Sequence, residues 1–183
     1  MLTELLQRVP LFRLLRTIDE DLARKIRDER CPHCGGPLHQ ARYRRKPRGG
    51  PETIPEEYLM RESLCCGREG CRKRILPPSC LFMGRRVYWG CVILVVLALR
   101  QQRPEGRSAG KLQRMFGIPR KTIMRWFVYF RDAFPVSGKW QRLRGRVMPS
   151  VEDSRLPGSL LECFLETAGS DEGALVGCLR FLA

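Results

Sequence analysis

Two cysteine pairs embedded in a proline- and glycine-rich stretch constrain this chain more than any other feature. Cys31-Pro-His-Cys34 places two thiols two residues apart, and Gly35 and Gly36 follow directly. Those glycines let the backbone fold around an ion and turn its amides toward sulfur. The second group, Cys65-Cys66-Gly-Arg-Glu-Gly-Cys71, comes about 30 residues later. Between residues 31 and 80, Pro37, Pro47, Gly49, Gly50, Pro51, Pro55, Pro77 and Pro78 leave no persistent helical period. Such a segment holds too little apolar material to fold alone, and a structural metal supplies the missing stability. Two thiolate pairs complete a tetrahedral site, each sulfur about 2.3 Å from zinc. The expected ligands of a structural Zn2+ are Cys31, Cys34, Cys66 and Cys71. The second pair is irregular, because Cys66 leaves four residues before Cys71 and Cys65 leaves five. Cys66 is favoured because it borders Gly67 at the turn, but Cys65 stays open as the third ligand.

The remaining metal-binding types offer less. Cys34 and His39 leave four residues between them, which would demand a fourth ligand near residue 44, and that residue is an arginine. His33 and His39 therefore read as surface residues. Cys80, Cys91, Cys163 and Cys178 lie among apolar neighbours, where a free cysteine behaves as a small hydrophobe. An odd total of nine cysteines, four of them at ligand spacing, fits a reducing cytoplasm better than a secreted disulfide framework. Met1–Pro10 carries Glu4 and Arg8 and lacks the pattern of a secretory leader. The longest apolar run, Val87–Leu99, is 13 residues interrupted by Gly90, short of the roughly 18 that span a bilayer.

Charge gives the second constraint. The 183 residues carry a formal net charge of +15, and it is unevenly placed. Residues 1–30 hold 7 basic and 6 acidic side chains, and residues 151–183 hold 2 and 6, so residues 31–150 carry a net +18. A segment of that kind gains by displacing the counterions of a polyanion, and nucleic acid is the commonest such partner. Within it, Arg44, Arg45 and Lys46 in the run Arg42–Arg48, and Arg72, Lys73 and Arg74 after the second cysteine pair, are candidate phosphate contacts.

The apolar pattern predicts a mainly α chain with a small β segment around the cysteines. Short helical stretches are expected on either side of Pro10, and a third helix from an N-cap at Thr17 to about Arg30. Leu59–Leu64 and Arg74–Leu76 read as short strands. Helical texture returns at Arg86, with one apolar helix over 87–101 that ends at Arg103 and Pro104. A loop over Gly106–Gly110 leads into a short helix from Ser108 to Phe116, which Gly117 ends. Pro119 then opens another helix to about Phe130. Pro135, Gly138 and Pro149 mark irregular chain, and short helices at Leu156–Leu165 and Ala174–Leu182 close the sequence. The expected divisions are an N-terminal helical segment (1–30), a metal segment (31–84), a helical domain (85–134) and a C-terminal tail (135–183).

Lys111–Trp126 resembles the bihelical DNA-binding unit, the helix-turn-helix. Leu112, Met115 and Phe116 supply the apolar face of its first helix, Gly117 the turn, and Ile118, Ile123 and Trp126 the docking face of its second. The resemblance implies that Arg120, Lys121, Thr122 and Arg125 lie on or near the outer face of a helix that enters the major groove, with Met124 beside them. The motif usually carries a small residue on the first helix where Gln113 stands here, so Gln113 is expected at the rim of the helix crossing. The helix at 87–101 would complete a three-helix unit.

The cysteine segment in turn resembles a zinc ribbon, in which two knuckles from separate hairpins clamp one ion. A zinc ribbon followed by a helix-turn-helix is similar to the N-terminal region of bacterial insertion-sequence transposases and their small DNA-binding regulators. The likeness covers roughly residues 31–131 and implies recognition of double-stranded DNA by a zinc-stabilised, sequence-specific protein. That would be a transposition-associated regulator or accessory factor in the cytoplasm, at the nucleoid, with a homodimer or a transposase as further partners. Two alternatives are the DNA-recognition part of a transposase without its catalytic domain, and a zinc-dependent RNA- or protein-interaction module. No enzyme is expected. Only 53 residues follow Phe130, too few for a ribonuclease-H-like domain, and Asp132, Asp153 and Asp171 have no strand context to set them together.

Overall fold

The computed structural model describes residues 1–83, 87–102, 107–147 and 150–183. In chain order its main elements begin with helices α1 (Leu2–Leu5) and α2 (Val9–Asp28). Strands β1 (Leu38–Gln40), β2 (Tyr43–Arg44), β3 (Met60–Arg61), β4 (Leu64–Cys66) and β5 (Arg74–Ile75) follow. Helices α3 (Gly90–Gln101), α4 (Ala109–Phe116), α5 (Arg120–Val128), α6 (Gly138–Leu143), α7 (Gly158–Thr167) and α8 (Asp171–Leu182) complete the chain. The protein is mainly helical with a small sheet. It divides into two compact units, one of Gln7–Trp89 with Ala183, the other of Met1–Leu6 with Gly90–Leu182. Among the described residues no helix is long and apolar enough to cross a membrane. Arg86, Arg103, Pro104, Gly106 and Pro149, which bounded segments in the sequence, and the expected division at 84 and 85 all lie outside the described residues.

A short helix does precede Pro10, as α1, but the two helices expected after it are one element, α2, in the unit of Gln7–Trp89. Pro10 sits in the first turn of α2, where its missing N–H costs nothing. Thr17 is no N-cap. It lies in mid-helix, and its hydroxyl donates to the Arg13 carbonyl one turn back at 3.2 Å. One stripe of α2 buries Leu11, Phe12, Leu15 and Ala23. The sheet runs β1-β4-β5, all antiparallel, with Leu38 opposite Cys66, His39 opposite Cys65, and Leu64 opposite Ile75. Because strand side chains alternate, this register sets Leu38, Leu64 and Cys66 into a buried cluster with Cys31, against which Ile26 of α2 packs. A separate ladder pairs β2 with β3. The expected strand over Leu59–Leu64 is thereby split: Glu56–Leu59 is a 3-10 turn, β3 follows, and β4 starts only at Leu64.

Buried charge ties α2 to this sheet. Glu62 is fully enclosed and meets Arg16 and Arg42, each at 2.8 Å, while the Gln40 amide donates to it at 2.9 Å. Asp19 accepts from the Ser79 hydroxyl and, at 2.6 Å, from the Cys80 backbone N–H. Burial pushes the Asp19 carboxyl up to about 6, against those hydrogen bonds and the nearby Arg61. At the end of the unit Trp89 packs edge-on to Phe12 at 4.8 Å and stacked on Phe82 at 5.4 Å. Gly50 permits this packing, since a Cβ there would come within 2.5 Å of the indole nitrogen.

In the other unit α3 is buried from Gly90 to Ala98, the behaviour of a helix apolar on every side. It starts three residues later than the sequence suggested. Val87 accepts a backbone hydrogen bond from Arg48 at 2.9 Å and Tyr88 bridges to Arg48, so both belong to extended chain. The hairpin of α7 and α8 packs on α3, as do α4 and α5. The Gln101 side chain fastens the start of α7 by donating to the Leu156 carbonyl at 2.6 Å and accepting from Gly158 at 2.8 Å. The stretch read as irregular after Pro135 contains α6. Ser137 caps it by accepting from the Trp140 N–H at 3.2 Å, and Trp140 is fully buried with its indole N–H on Asp153 at 2.9 Å.

Candidate metal centre and basic helix face

Four sulfurs converge at one end of the three-stranded sheet. Cys31 and Cys34 come from the turn after α2, Cys66 from the end of β4, and Cys71 from the turn before β5. Their ligand atoms all lie within 4.8 Å of one another, with Cys31 to Cys71 at 3.8 Å and Cys34 to Cys66 at 3.5 Å. A tetrahedron with bonds of about 2.3 Å has edges of about 3.8 Å, so this cluster is compatible with a four-thiolate metal site. Cys66 is the member from the second pair. Cys65 is one residue earlier on the strand, where alternation turns it away, and its sulfur contacts the Arg72 carbonyl at 3.6 Å.

The turns that carry the sulfurs are built for them. Gly35 and Gly70 adopt φ of +70° and +81°, where side chains are disfavoured. The Cys31 N–H donates to Gly36 at 3.0 Å, and the Gly35 N–H to Cys31 at 2.8 Å, closing the first loop. The Arg68 N–H donates to the Cys66 sulfur at 3.4 Å, and its guanidinium donates to the Cys34 carbonyl at 2.6 Å. Gly36 leaves room for the cluster: a Cβ there would lie 3.1 Å from the Cys66 sulfur and 2.9 Å from Arg68 Cβ. Burial pushes the Cys31 thiol up, yet the amides of His33 and Cys34 and the neighbouring thiols outweigh it and hold it at about 7. At Cys91 burial prevails instead, driving that thiol to about 12 against the hydrogen bonds of the Val92 and Cys91 amides. Of these two residues only Gly36 was singled out in the sequence. Gly36 was visible as the second glycine of the loop, whereas nothing marked Arg68.

The six candidate phosphate contacts of this unit fall in two places. Arg72, with φ of +45°, and the exposed Lys73 and Arg74 lie on the turn and strand that follow the cluster. Arg44 lies on β2 and pairs with Glu56 at 3.2 Å, Arg45 sits 5.8 Å above the Phe82 ring, and Lys46 is exposed. His33 and His39 are both exposed and stand apart from the sulfurs.

In the other unit α4 and α5 meet at Gly117, whose φ is +63° and whose N–H donates to the Gln113 carbonyl at 2.9 Å. Ser108 caps α4 through the Lys111 N–H at 3.2 Å. Leu112, Ile118, Ile123 and Trp126 are buried, but Met115 is largely exposed. Gln113 is exposed as well, and the small buried residue of α4 is Ala109, one turn earlier. This burial leaves Arg120, Lys121 and Arg125 exposed and Thr122 half-buried on α5. Arg120, Lys121 and Arg125, with Met124 and Val128, line one open concavity of about 650 Å³. Beyond Val128 the helix widens by one π-turn over Tyr129–Ala133, which carries Phe130 and Phe134 into the core beside Trp140.

No protein-family model, curated protein or solved structure matches this chain.

Proposed function

We propose that the protein is a zinc-stabilised, sequence-specific DNA-binding protein that acts as a regulator or accessory factor of transposition. The observation that carries this reading is the outer face of α5. The helix follows a left-handed glycine, docks through Ile123 and Trp126, and presents Arg120, Lys121 and Arg125 to solvent at its exposed start. That arrangement matches a helix-turn-helix, in which the first turns of the second helix enter the major groove. Arginine there is suited to guanine edges and phosphates, and the half-buried Thr122 to either. Residues 107–131 contain no acidic side chain, so nothing on this stretch repels a phosphate backbone.

Zinc fits the four-cysteine cluster by donor type and sulfur spacing, and Cys31, Cys34, Cys66 and Cys71 would hold it. With all four positions filled by protein the ion has a structural role, holding the ribbon-like β1-β4-β5 segment. A four-thiolate zinc centre carries net negative charge, which Arg68, Arg72 and Lys73 around the second turn offset. These residues, with Lys46 and Arg74, are then placed to contact phosphates.

The test is binding of purified, zinc-loaded protein to a duplex recovered from a randomised pool. The double variant Arg120→Ala/Arg125→Ala is expected to lose roughly 10-fold or more in affinity for that duplex while keeping its helical content, about 1–3 kcal/mol per lost base contact. Unchanged affinity would remove α5 from the interface.

A further inference from the structure

The concavity on α5 is not merely basic. Residues 120, 124 and 128 follow the i, i+4, i+8 spacing of one helix face, with 121 and 125 alongside, so Met124 and Val128 form an apolar strip flanked by three cations. Val128 is 43% exposed. Ile123 and Trp126 serve the core, whereas Met124 is half-buried and Val128 exposed. Among the described residues none of the three cations is in an ion pair, and no acid occurs nearby in the sequence before Asp132.

Lys121 and Arg125 lie along one side of this strip and Arg120 at its N-terminal end, so an occupant must offer apolar groups to the strip and negative charge along that side and end. Within the major groove of duplex DNA the apolar group at a base edge is the C5-methyl of thymine, and phosphates line both rims. We infer that Met124 and Val128 read thymine methyl groups, giving the protein a site in which one or two thymines face α5. Four residues of helix advance about 6 Å, so the two side chains reach methyls roughly two base steps apart. The cations favour this occupant over an apolar peptide, because an uncharged partner would have to desolvate three of them without compensation. The inference rests on the duplex-binding reading and names what that face selects.

The experiment replaces thymine by deoxyuridine, which removes the methyl and leaves every hydrogen-bonding group in place. A duplex selected from a random pool is resynthesised with one dT→dU change at a time, and affinity is measured for the wild type, Met124→Ala and Val128→Ala. Both variants introduce a good helix former, at an exposed position for Val128 and a half-buried one for Met124, and retained helical signal checks that they fold. For the wild type, one or two positions should lose about three- to fivefold, the size of burying a single methyl. Met124→Ala or Val128→Ala should bind the thymine duplex that much more weakly and no longer distinguish it from the deoxyuridine one. Tight duplex binding with no position sensitive to the methyl would overturn the inference, as would a methyl effect that both variants retain. Failure to bind any duplex, with capture of an acidic helical peptide instead, would overturn the DNA reading itself.

Discussion

At the scale of single residues, the metal centre depends on one glycine and one choice between neighbours. Gly36 has a normal backbone conformation, so its requirement is spatial. Gly36→Ala is expected to crowd the Cys66 sulfur and Arg68 and to weaken metal binding roughly 10-fold, the usual cost of disturbing residues that orient ligands. A chromogenic zinc-release titration measures this. In the same assay Cys66→Ser should lose the bound ion and Cys65→Ser should keep it. The sequence favoured Cys66 for its neighbouring Gly67 but left Cys65 open, because ligand spacing alone does not say which way a strand side chain points. The register that pairs Leu38 with Cys66 decides it. Asp19 gives a second residue-scale outcome. With its carboxyl raised from 3.8 to about 6 in the fold, the native state holds the proton more tightly than the unfolded chain. Its contribution is therefore most favourable below about pH 4 and declines as pH rises to about 6, by at most about 3 kcal/mol. Comparing denaturation of the wild type and Asp19→Asn between pH 4 and 7 isolates this effect, and the wild type should lose stability relative to the variant as pH rises. Equal pH dependence would mean that Asp19 stays ionised throughout.

At the scale of elements, Gly117 is the joint between α4 and α5. Nothing stands within 4 Å of a Cβ placed there, so the cost of substitution is purely conformational. Gly117→Ala should destabilise the unit by about 1 kcal/mol, read as a lower denaturation midpoint with unchanged slope. This joint was legible because a glycine between two apolar patterns, with Ser108 before and Pro119 after, is a local signal. Elements fixed by tertiary partners were not legible. Thr17 looked like an N-cap, but the buried stripe of Leu11, Phe12 and Leu15 carries the helix straight through it. Val87 and Tyr88 continued an apolar run, yet their backbone pairs with Arg48, far earlier in the chain. Helix α6 was hidden between a proline and glycines, and Trp140 is what anchors it, through a hydrogen bond to an aspartate 13 residues away. The Arg16–Glu62 and Asp19–Ser79 pairs likewise join residues 46 and 60 apart in sequence, and no local pattern reveals them.

For the whole molecule, the uneven charge and the mixed make-up have separate consequences. The small sheet unit gathers its four cysteines about a small buried cluster, whereas α3 is buried from Gly90 to Ala98. Chelation is expected to raise amide exchange across residues 31–75 while α3–α8 keep their protection. Uniform loosening of both units would contradict a local structural role for the metal. The net +18 over residues 31–150 makes any nucleic-acid affinity steeply dependent on salt, so preference must be judged at fixed ionic strength. The most direct measurement of the central claim is therefore the affinity of the zinc-loaded protein for a selected duplex, the same sequence as a single strand, and its RNA counterpart, across a salt series. Binding should be tightest to the duplex at every salt concentration, with affinity falling steeply between about 50 and 200 mM, roughly 10³-fold if six phosphates are neutralised. Equal or tighter binding to single strands or RNA, or affinity for the duplex that ignores salt, would contradict it.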